Sequence, residues 1–206
     1  MRVTAETKVA TRERILEVAR GLFAENGFEA TTTREIAQAA EIATGTLFNY
    51  FATKEAIVAC LAAEAAAGAH QEFERKALDA ESFEEELFAF VAERLRKFKP
   101  LRKHLPALLE TTLHRLVTAP GDDSQSLRVN HLETVSQLAH KHGFGVLSPV
   151  ALQLYWTLYS GVLVFWANDK SPKQEDTLAV LDHSVEMFVG WLNGQRDASP
   201  SKSRKK

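Results

Sequence analysis

Apolar residues recur at helical spacing along almost the whole chain, and no segment shows the strict alternation of a half-buried strand. In the first such segment one helical face carries Ile15, Ala19, Leu22 and Phe23. Thr11 is placed to cap this helix, and Gly27 can end it in the left-handed conformation. The pattern predicts an all-α protein whose first ten residues form a flexible arm.

Two short helices and one long helix are predicted next. The segment from Thr32 to Glu35 has the sequence of a capping box, which opens a short helix. A break near Glu41 separates it from a second short helix over residues 44–51. Thr53 then caps a long, alanine-rich helix that runs from Lys54 to about residue 78.

Five further helices are predicted beyond residue 80. They lie between Ser82 and Pro100, between Pro100 and Ala119, from about Leu127 to His142, from Ser148 to about Trp166, and from Pro172 to about Leu192. The polar, basic stretch from Gly194 to Lys206 is predicted to be disordered.

These elements predict two helical domains in 206 residues. We expect an arm over residues 1–10 and a three-helix domain over residues 11–53. A larger helical domain would span residues 54–193, and residues 194–206 would form a disordered basic tail.

Composition excludes several classes of protein. The single cysteine, Cys60, allows no internal disulfide, and its apolar neighbours indicate a core position. The N-terminus lacks the apolar region of a signal peptide, and no uninterrupted apolar run approaches the roughly 18 residues of a membrane span. These features predict a cytoplasmic protein with no membrane partner.

Bulk charge does not predict nucleic-acid binding, because the net charge is −2 and the first sixty residues hold seven basic and eight acidic residues. The distribution of charge is more informative. The thirteen positions from Ile42 to Lys54 hold no acid, as suits a helix that meets the DNA polyanion. The spacing points Leu47 and Phe51 inward. The residues left to hydrogen-bond to bases or phosphates are Thr44, Thr46, Asn49 and Tyr50. Lys54 begins the next helix, where free amide groups also attract phosphate.

Three motifs make a family resemblance specific. They are Arg34-Glu35-Ile36-Ala37, Gly45-Thr46-Leu47-Phe48-Asn49-Tyr50-Phe51 and Lys54-Glu55-Ala56, and the preceding helix adds Leu22-Phe23-Ala24-Glu25-Asn26-Gly27-Phe28. Residues 11–58 thereby resemble the TetR family of bacterial regulators. The resemblance implies that residues 11–53 form a helix-turn-helix DNA-binding domain and that residues 54–193 form a helical domain for ligand binding and dimerisation.

The resemblance implies a role for each matching position. Thr33 and Arg34 would approach the DNA backbone or groove edge. The residues facing the major groove would be Thr44, Gly45, Thr46 and Asn49. Phe48 would lie against base methyls or sugars, and Tyr50 and Lys54 would hold phosphates.

Two positions depart from the family pattern. Glu41 stands where glycine is usual, and a left-handed conformation there would cost about 1 kcal/mol. Ala43 stands where serine is usual and cannot cap the recognition helix, so Thr44 is expected to cap it one residue later.

The last two predicted helices are apolar over more than one face, which favours burial between two surfaces. We expect them to form a two-fold four-helix bundle with a second copy. The predicted interface residues are Val162, Trp166, Leu181, Val185, Phe188 and Leu192. A dimer also suits a palindromic operator with half-sites about 34–36 Å apart.

The central helices supply candidates for an effector pocket. The predicted lining residues are Phe90, Leu109, Leu113, Tyr155, Trp156 and Tyr159. An apolar, aromatic lining would suit a small hydrophobic or aromatic effector of unknown identity. Glu110 and His114 lie one helical turn apart, but the other histidines do not complete a compact set of metal ligands with them. Neither a metal nor a cofactor is therefore expected.

The predicted function is therefore a DNA-binding transcriptional regulator, most simply a repressor that an effector releases from its operator. Ligand binding would move the long helix that begins at Lys54. A ligand-independent DNA-binding protein and an activator of the same fold remain alternatives. An enzyme has no support, because no nucleophile is paired with a base.

Overall fold

The computed structural model describes residues 5–76, 79–104 and 123–198, and every regular element in those ranges is helical. The α-helices are α1 (Ala5–Asn26), α2 (Thr33–Ala39), α3 (Thr44–Phe48), α4 (Lys54–Lys76), α5 (Phe83–Phe98), α6 (Asp123–Lys141), α7 (Pro149–Asn168) and α8 (Glu175–Ala198). Short 3₁₀ helices cover Lys99–His104 and Pro172–Gln174.

The chain divides into two compact units. The first comprises Met1–Gly68 with Lys97–Leu127, and the second comprises Ala69–Arg96 with Arg128–Lys206. The division therefore falls inside α4, whereas the functional boundary predicted at residue 53 remains a prediction.

The core of the first unit is built from the predicted inward faces. Its main members are Ile15, Ala19, Phe23, Ile36, Leu47, Phe51, Ile57, Val58, Leu61 and Leu101. Cys60 is buried among them as expected, and its Sγ accepts a hydrogen bond from Arg12 Nη2 at 2.7 Å. Helices α1 to α3 thus pack as the helical periodicity predicts.

The helix caps read from the sequence are largely confirmed. Thr32 and Glu35 form a complete capping box at α2. The hydroxyl of Ser82 accepts from the backbone N–H of Glu85, and that of Ser148 accepts from Ala151. Gly27 follows α1 with φ +85°. Such signals are local, so they can be read without knowledge of the fold.

Several helix ends differ from the prediction, among them the start of α6, which lies at Asp123 rather than near Leu127. Helix α1 begins at Ala5, so residues 5–10 are not an arm, and the Thr11 hydroxyl donates to the carbonyl of Thr7 inside the helix. Threonine satisfies its hydroxyl in this way within helices, and it therefore does not mark a start. Helix α8 continues through Ala198, so residues 194–198 are not disordered. The guanidinium of Arg196 lies 5.0 Å from the Phe144 ring centroid and packs the last turn.

Helix α3 is shorter than predicted and ends at Phe48. Backbone bonds from Asn49 to Thr46 and from Tyr50 to Leu47 tighten the chain into a turn there. The helix predicted between Pro100 and Ala119 lies outside the described residues beyond His104.

The second unit packs α7 against α8. Its buried members include Phe73, Phe83, Leu87, Phe90, Val91, Val135, Tyr155, Tyr159, Val162, Trp166, Leu181, Val185, Phe188 and Val189. In α5 the apolar residues at helical spacing are predicted to point inward, and all of them are buried, namely Phe83, Leu87, Phe90, Val91 and Leu95.

Helix α7 corrects one expectation about membranes. Pro149–Asn168 is a helix of 20 residues with a mean hydropathy of 1.4, which is long and apolar enough to cross a membrane. The expectation rested on the lack of an uninterrupted apolar run, and in this helix Gln153, Thr157 and Ser160 interrupt the apolar residues. The core helix of a soluble protein meets the same two measures, and Tyr155, Tyr159 and Trp166 are buried in this unit.

Candidate functional site

A left-handed residue forms the turn between α2 and α3. Glu41 has φ +54°, its N–H bonds to the carbonyl of Gln38 at 3.0 Å, and the next N–H, of Ile42, bonds to Ala37 at 3.0 Å. These two bonds define a Schellman motif, in which the left-handed position normally belongs to glycine. The predicted left-handed conformation at Glu41 is confirmed, and its cost of about 1 kcal/mol stays a prediction.

Helix α3 begins without a side-chain cap. Ala43 is its N-cap residue with extended backbone (φ −68°, ψ 145°) and makes no side-chain bond. Thr44 is already the first helical residue, so the expectation that Thr44 caps the helix is wrong. The shift of one residue would need Thr44 to be extended, and the turn set by Glu41 leaves the extended position to Ala43.

Helix α3 has one buried and one open face. Leu47 is fully buried, and Phe51, just beyond the helix, is buried with it. On the other side Gly45, Phe48 and Asn49 are exposed, and the half-buried residues are Thr44, Thr46 and Tyr50. Phe48 leaves 49% of its surface exposed. A large apolar ring beside hydroxyl and amide groups matches what a major groove offers, namely thymine methyls next to donors and acceptors.

Helix α2 adds Thr33, half-buried, and Arg34, exposed, in its first turn. The neighbouring acid is engaged locally, because the Glu35 carboxylate accepts from the backbone N–H of Thr32 at 2.7 Å. The backbone and side-chain bonds from Thr32 lower the pKa of Glu35. Arg34 is therefore the outward charge at this helix start, while the carboxylate of Glu35 is turned to the cap.

Lys54 has a second role that the sequence did not indicate. Its Nζ donates to the carbonyl of Phe28 at 2.6 Å and to that of Thr31 at 3.0 Å, and it lies 4.1 Å from the Phe28 ring centroid. The ammonium group has three donors, and these bonds use two. Lys54 thus ties the start of α4 to the segment between α1 and α2, and phosphate contact by its remaining donor stays a prediction.

A buried polar cluster occupies the core of the second unit. His131 of α6 is 1% exposed, and its Nε2 lies 2.8 Å from the hydroxyl of Tyr155. The Tyr159 ring stacks on the imidazole at 4.2 Å, and the Tyr159 hydroxyl accepts from Arg94 Nε at 3.4 Å. Burial, followed by the positive charge of Arg94, holds the pKa of His131 well below its usual value. The imidazole is therefore neutral at neutral pH.

The predicted effector residues surround this cluster in part. Phe90, Tyr155 and Tyr159 are buried and Trp156 is half-buried, whereas Leu109 and Leu113 lie outside the described residues. A cavity of about 10 Å³, roughly one water molecule, lies beside Tyr155 and Tyr159 and is bordered also by Val91, Val162, Leu181 and Val185. A wider cleft of about 530 Å³ lies beside Phe144, Leu147 and Trp191 and includes none of the predicted lining residues.

The residues predicted for the dimer interface face the core of their own protomer. Buried inside one protomer are Val162, Trp166, Leu181, Val185, Phe188 and Leu192. A residue packed in its own core cannot also cover a partner. The apolar residues of α7 and α8 that remain exposed are Val150, Val164, Phe165, Leu178 and Met187. Helical periodicity identifies stripes, but it does not say which stripe faces inward.

Two functional candidates escaped the sequence analysis, namely His131 and the internal bonds of Lys54. Sequence alone gave His131 no periodic or motif signal, because the aromatic rings around it come from helices far apart in the chain. Among residues 5–76, 79–104 and 123–198, no three His, Cys, Asp or Glu side chains gather as a metal site.

Comparison with known proteins supplies a family for the first unit. Residues 15–61 match the family model described as bacterial regulatory proteins, tetR family. The repressor KstR2 of Rhodococcus jostii is 47% identical over 51 residues, 25% of each chain. The regulator UidR of Escherichia coli is 44% identical over 48 residues, 23% of this chain and 24% of that one. The aligned segment thus spans about a quarter of the curated relatives' length.

Solved structures extend the likeness of fold beyond that segment. A TetR regulator from Rhodococcus sp. RHA1 has a TM-score of 0.68 at 20% identity, covering 88% of this chain and 97% of that one. Thermus thermophilus FadR, a repressor solved with lauroyl-CoA, has a TM-score of 0.66 at 22% identity, covering 86% and 93%. At these identities the likeness establishes the fold alone.

Proposed function

We infer from the match over residues 15–61 that the chain is a DNA-binding transcriptional regulator of the TetR family. On this premise we propose that it is a cytoplasmic repressor released from a palindromic operator by a small effector. The observation that carries the DNA half is the open face of α3. It combines the exposed Phe48 ring with Thr44, Thr46 and Asn49 and holds no carboxylate. Thr33, Arg34, Gly45, Tyr50 and Lys54 complete the proposed contact surface.

Selection of binding sites from random duplex DNA with the full chain tests this proposal. We expect a palindrome whose half-sites lie about one helical turn apart, and an affinity that falls steeply with salt. Asn49→Ala should relax base preference at one position by about 1–3 kcal/mol. Asn130→Ala, at an exposed position on α6, is the matched control. Equal affinity for selected and random DNA would refute sequence-specific regulation and favour a nonspecific DNA-binding protein.

We propose that the exposed sides of α7 and α8 form the dimer interface. Val164, Phe165, Leu178 and Met187 supply its apolar contacts. Val164→Asp should yield a monomer in sedimentation at micromolar concentration and weaken binding to the full palindrome. Val129→Asp is a matched control, because Val129 on α6 is 49% exposed and Val164 is 48% exposed. A Val164→Asp protein that remains dimeric would refute this interface.

The second unit is the proposed sensor, with Phe90, Tyr155, Trp156 and Tyr159 at its effector site. An effector needs to favour the non-binding state by only about 1–3 kcal/mol to relieve repression. The lauroyl-CoA seen with the FadR structure makes lauroyl-CoA a reasonable first compound to test for operator release. Stimulation of transcription from the selected operator in a purified system would instead support an activator.

A further inference from the structure

One ring nitrogen of the buried His131, Nδ1, stands out in the core of the second unit. Among the described residues His131 Nδ1 has no hydrogen-bond partner. A buried polar atom left unpaired costs about 1–3 kcal/mol, and few folded proteins keep one without a reason. Tyr155 accounts for the other ring nitrogen, Nε2, but not for Nδ1, so Nδ1 needs an explanation of its own.

Hydrogen-bond pairing in the cluster selects the tautomer of the imidazole. The buried Tyr155 hydroxyl keeps its proton, because burial raises its pKa well above the usual value. When this hydroxyl donates to Nε2 across 2.8 Å, both groups are satisfied and the ring proton sits on Nδ1. The opposite tautomer would leave the Tyr155 proton and the Nδ1 lone pair both unpaired. Nδ1 is therefore a hydrogen-bond donor.

The surroundings define the rest of the ligand. Aromatic rings flank the imidazole, with centroid distances of 5.1 Å for Phe90, 6.0 Å for Trp156 and 4.2 Å for Tyr159. Flat aromatic groups pack well against such rings. The nearby positive charge of Arg94 disfavours a cationic ligand. A bond to Nδ1 lies in the plane of the ring, so a ligand approaches the edge of the imidazole and leaves the Tyr159 stack in place.

We propose that His131 is the polar anchor of an effector site in this unit, and that its Nδ1–H donates to an acceptor oxygen on an aromatic ligand that is uncharged or anionic. The inference rests on the proposed sensing function and adds the chemical class of the effector. Tyr155 is a positioning residue, because it fixes the tautomer of His131 through Nε2.

Four naphthalene compounds of similar size test this class with the full chain by equilibrium dialysis. They are 2-naphthoate, 2-acetonaphthone, 2-ethylnaphthalene and 2-naphthylmethylammonium. The two compounds with an acceptor oxygen should bind about tenfold more tightly than 2-ethylnaphthalene, the effect of one buried hydrogen bond. The ammonium compound should bind most weakly. Equal affinities, or no binding by any of the four up to solubility, would overturn the proposal.

His131→Phe separates an anchoring role from a structural one. We expect the preference for an acceptor oxygen to fall to about onefold, with 2-ethylnaphthalene affinity and operator affinity maintained. The melting temperature should fall somewhat, because the buried Tyr155 hydroxyl loses its bond to Nε2. His140→Phe, at an exposed position on the same helix, should change none of these. A His131→Phe protein that keeps the tenfold preference would refute the anchor.

Nitrogen NMR of the wild-type protein gives a measurement that needs no variant. With ¹⁵N-labelled histidine, His131 should show a protonated Nδ1 whose resonance shifts on addition of 2-naphthoate. A protonated Nε2 would overturn the assignment. Operator release by lauroyl-CoA without binding of any naphthalene compound would refute this ligand class while leaving the sensing function standing. No release by either set would count against the sensing function itself.

Discussion

Replacing Glu41 by glycine should stabilise the protein, because Glu41 occupies the left-handed position of the Schellman motif after α2. A non-glycine residue in that conformation costs about 1–2 kcal/mol. Glycine recovers that energy but loses about 0.4–1 kcal/mol through the greater freedom of the unfolded chain. The net gain is about 1 kcal/mol, or roughly 2–4 °C in melting temperature for a protein of this size.

A second Schellman motif in the same chain provides the reciprocal experiment. After α6 the N–H of Gly143 bonds to His140 at 3.0 Å and the N–H of Phe144 bonds to Ala139 at 2.9 Å, with φ +79° at Gly143. A Cβ built at Gly143 meets no atom within 4 Å. Gly143→Ala should therefore lower the free energy of unfolding by about 1 kcal/mol through conformation alone.

Glu41→Ala distinguishes backbone strain from charge. It removes the carboxylate but keeps the Cβ, so its melting temperature should stay close to that of the wild type. Thermal unfolding of the three variants and the wild type at one protein concentration gives the comparison. If Glu41→Ala and Glu41→Gly are stabilised equally, the carboxylate rather than the left-handed backbone is the source of the strain, and the reasoning fails.

Three other perturbations address single interactions. Ala43→Ser should add the missing cap of α3, since Ala43 already has extended backbone. We expect urea titration to show a free energy of unfolding that is higher by about 1 kcal/mol. No gain would show that the serine hydroxyl cannot reach the helix amides. Lys54→Met should lower the free energy of unfolding by about 2 kcal/mol through loss of the bonds to Phe28 and Thr31. If the same variant reduces the salt slope of DNA binding by about one, Lys54 also contacts a phosphate. Hydrogen bonds from Thr177 and Ser171 hold the pKa of Asp169 well below its usual value, so the stabilisation by the carboxylate is present above about pH 4 and is lost as pH falls further. The free energies of unfolding of the wild type and of Asp169→Asn should therefore converge in acid. A difference that stays constant with pH would contradict this.

What could be predicted from the sequence depends on how local the determining interaction is. The capping box at Thr32, the left-handed Glu41 and the proline after Ser148 are fixed by residues within one or two turns, and all three are as expected. Thr11 misled because the same hydroxyl that can cap a helix can also bond to a carbonyl one turn back. The end of α8 depends on Arg196 packing against Phe144, which is distant in sequence.

Lys54 and His131 mark where sequence reasoning about the sites stopped. The position of Lys54 at a helix start was read correctly, but its hydrogen-bond partners, Phe28 and Thr31, lie more than twenty residues away. His131 lies on α6 and its surroundings come from two other helices, α5 and α7, so no spacing in the chain records them. Motifs therefore located the helix that we propose to face DNA, whereas the contacts of His131 could be seen only in the tertiary structure.

Two faces of α8 carry apolar residues, and they differ in how much surface each leaves for a second copy. The stripe through Leu181, Val185 and Phe188 is strictly apolar and is buried, as a core face must be. The opposite face mixes Met187 with Asp182, His183 and Glu186, and all four are exposed. The strictly apolar stripe is already covered by its own protomer and leaves little surface for a partner. The mixed face of α8 is therefore the one that we expect a second copy to cover, with Met187 as its exposed apolar contact.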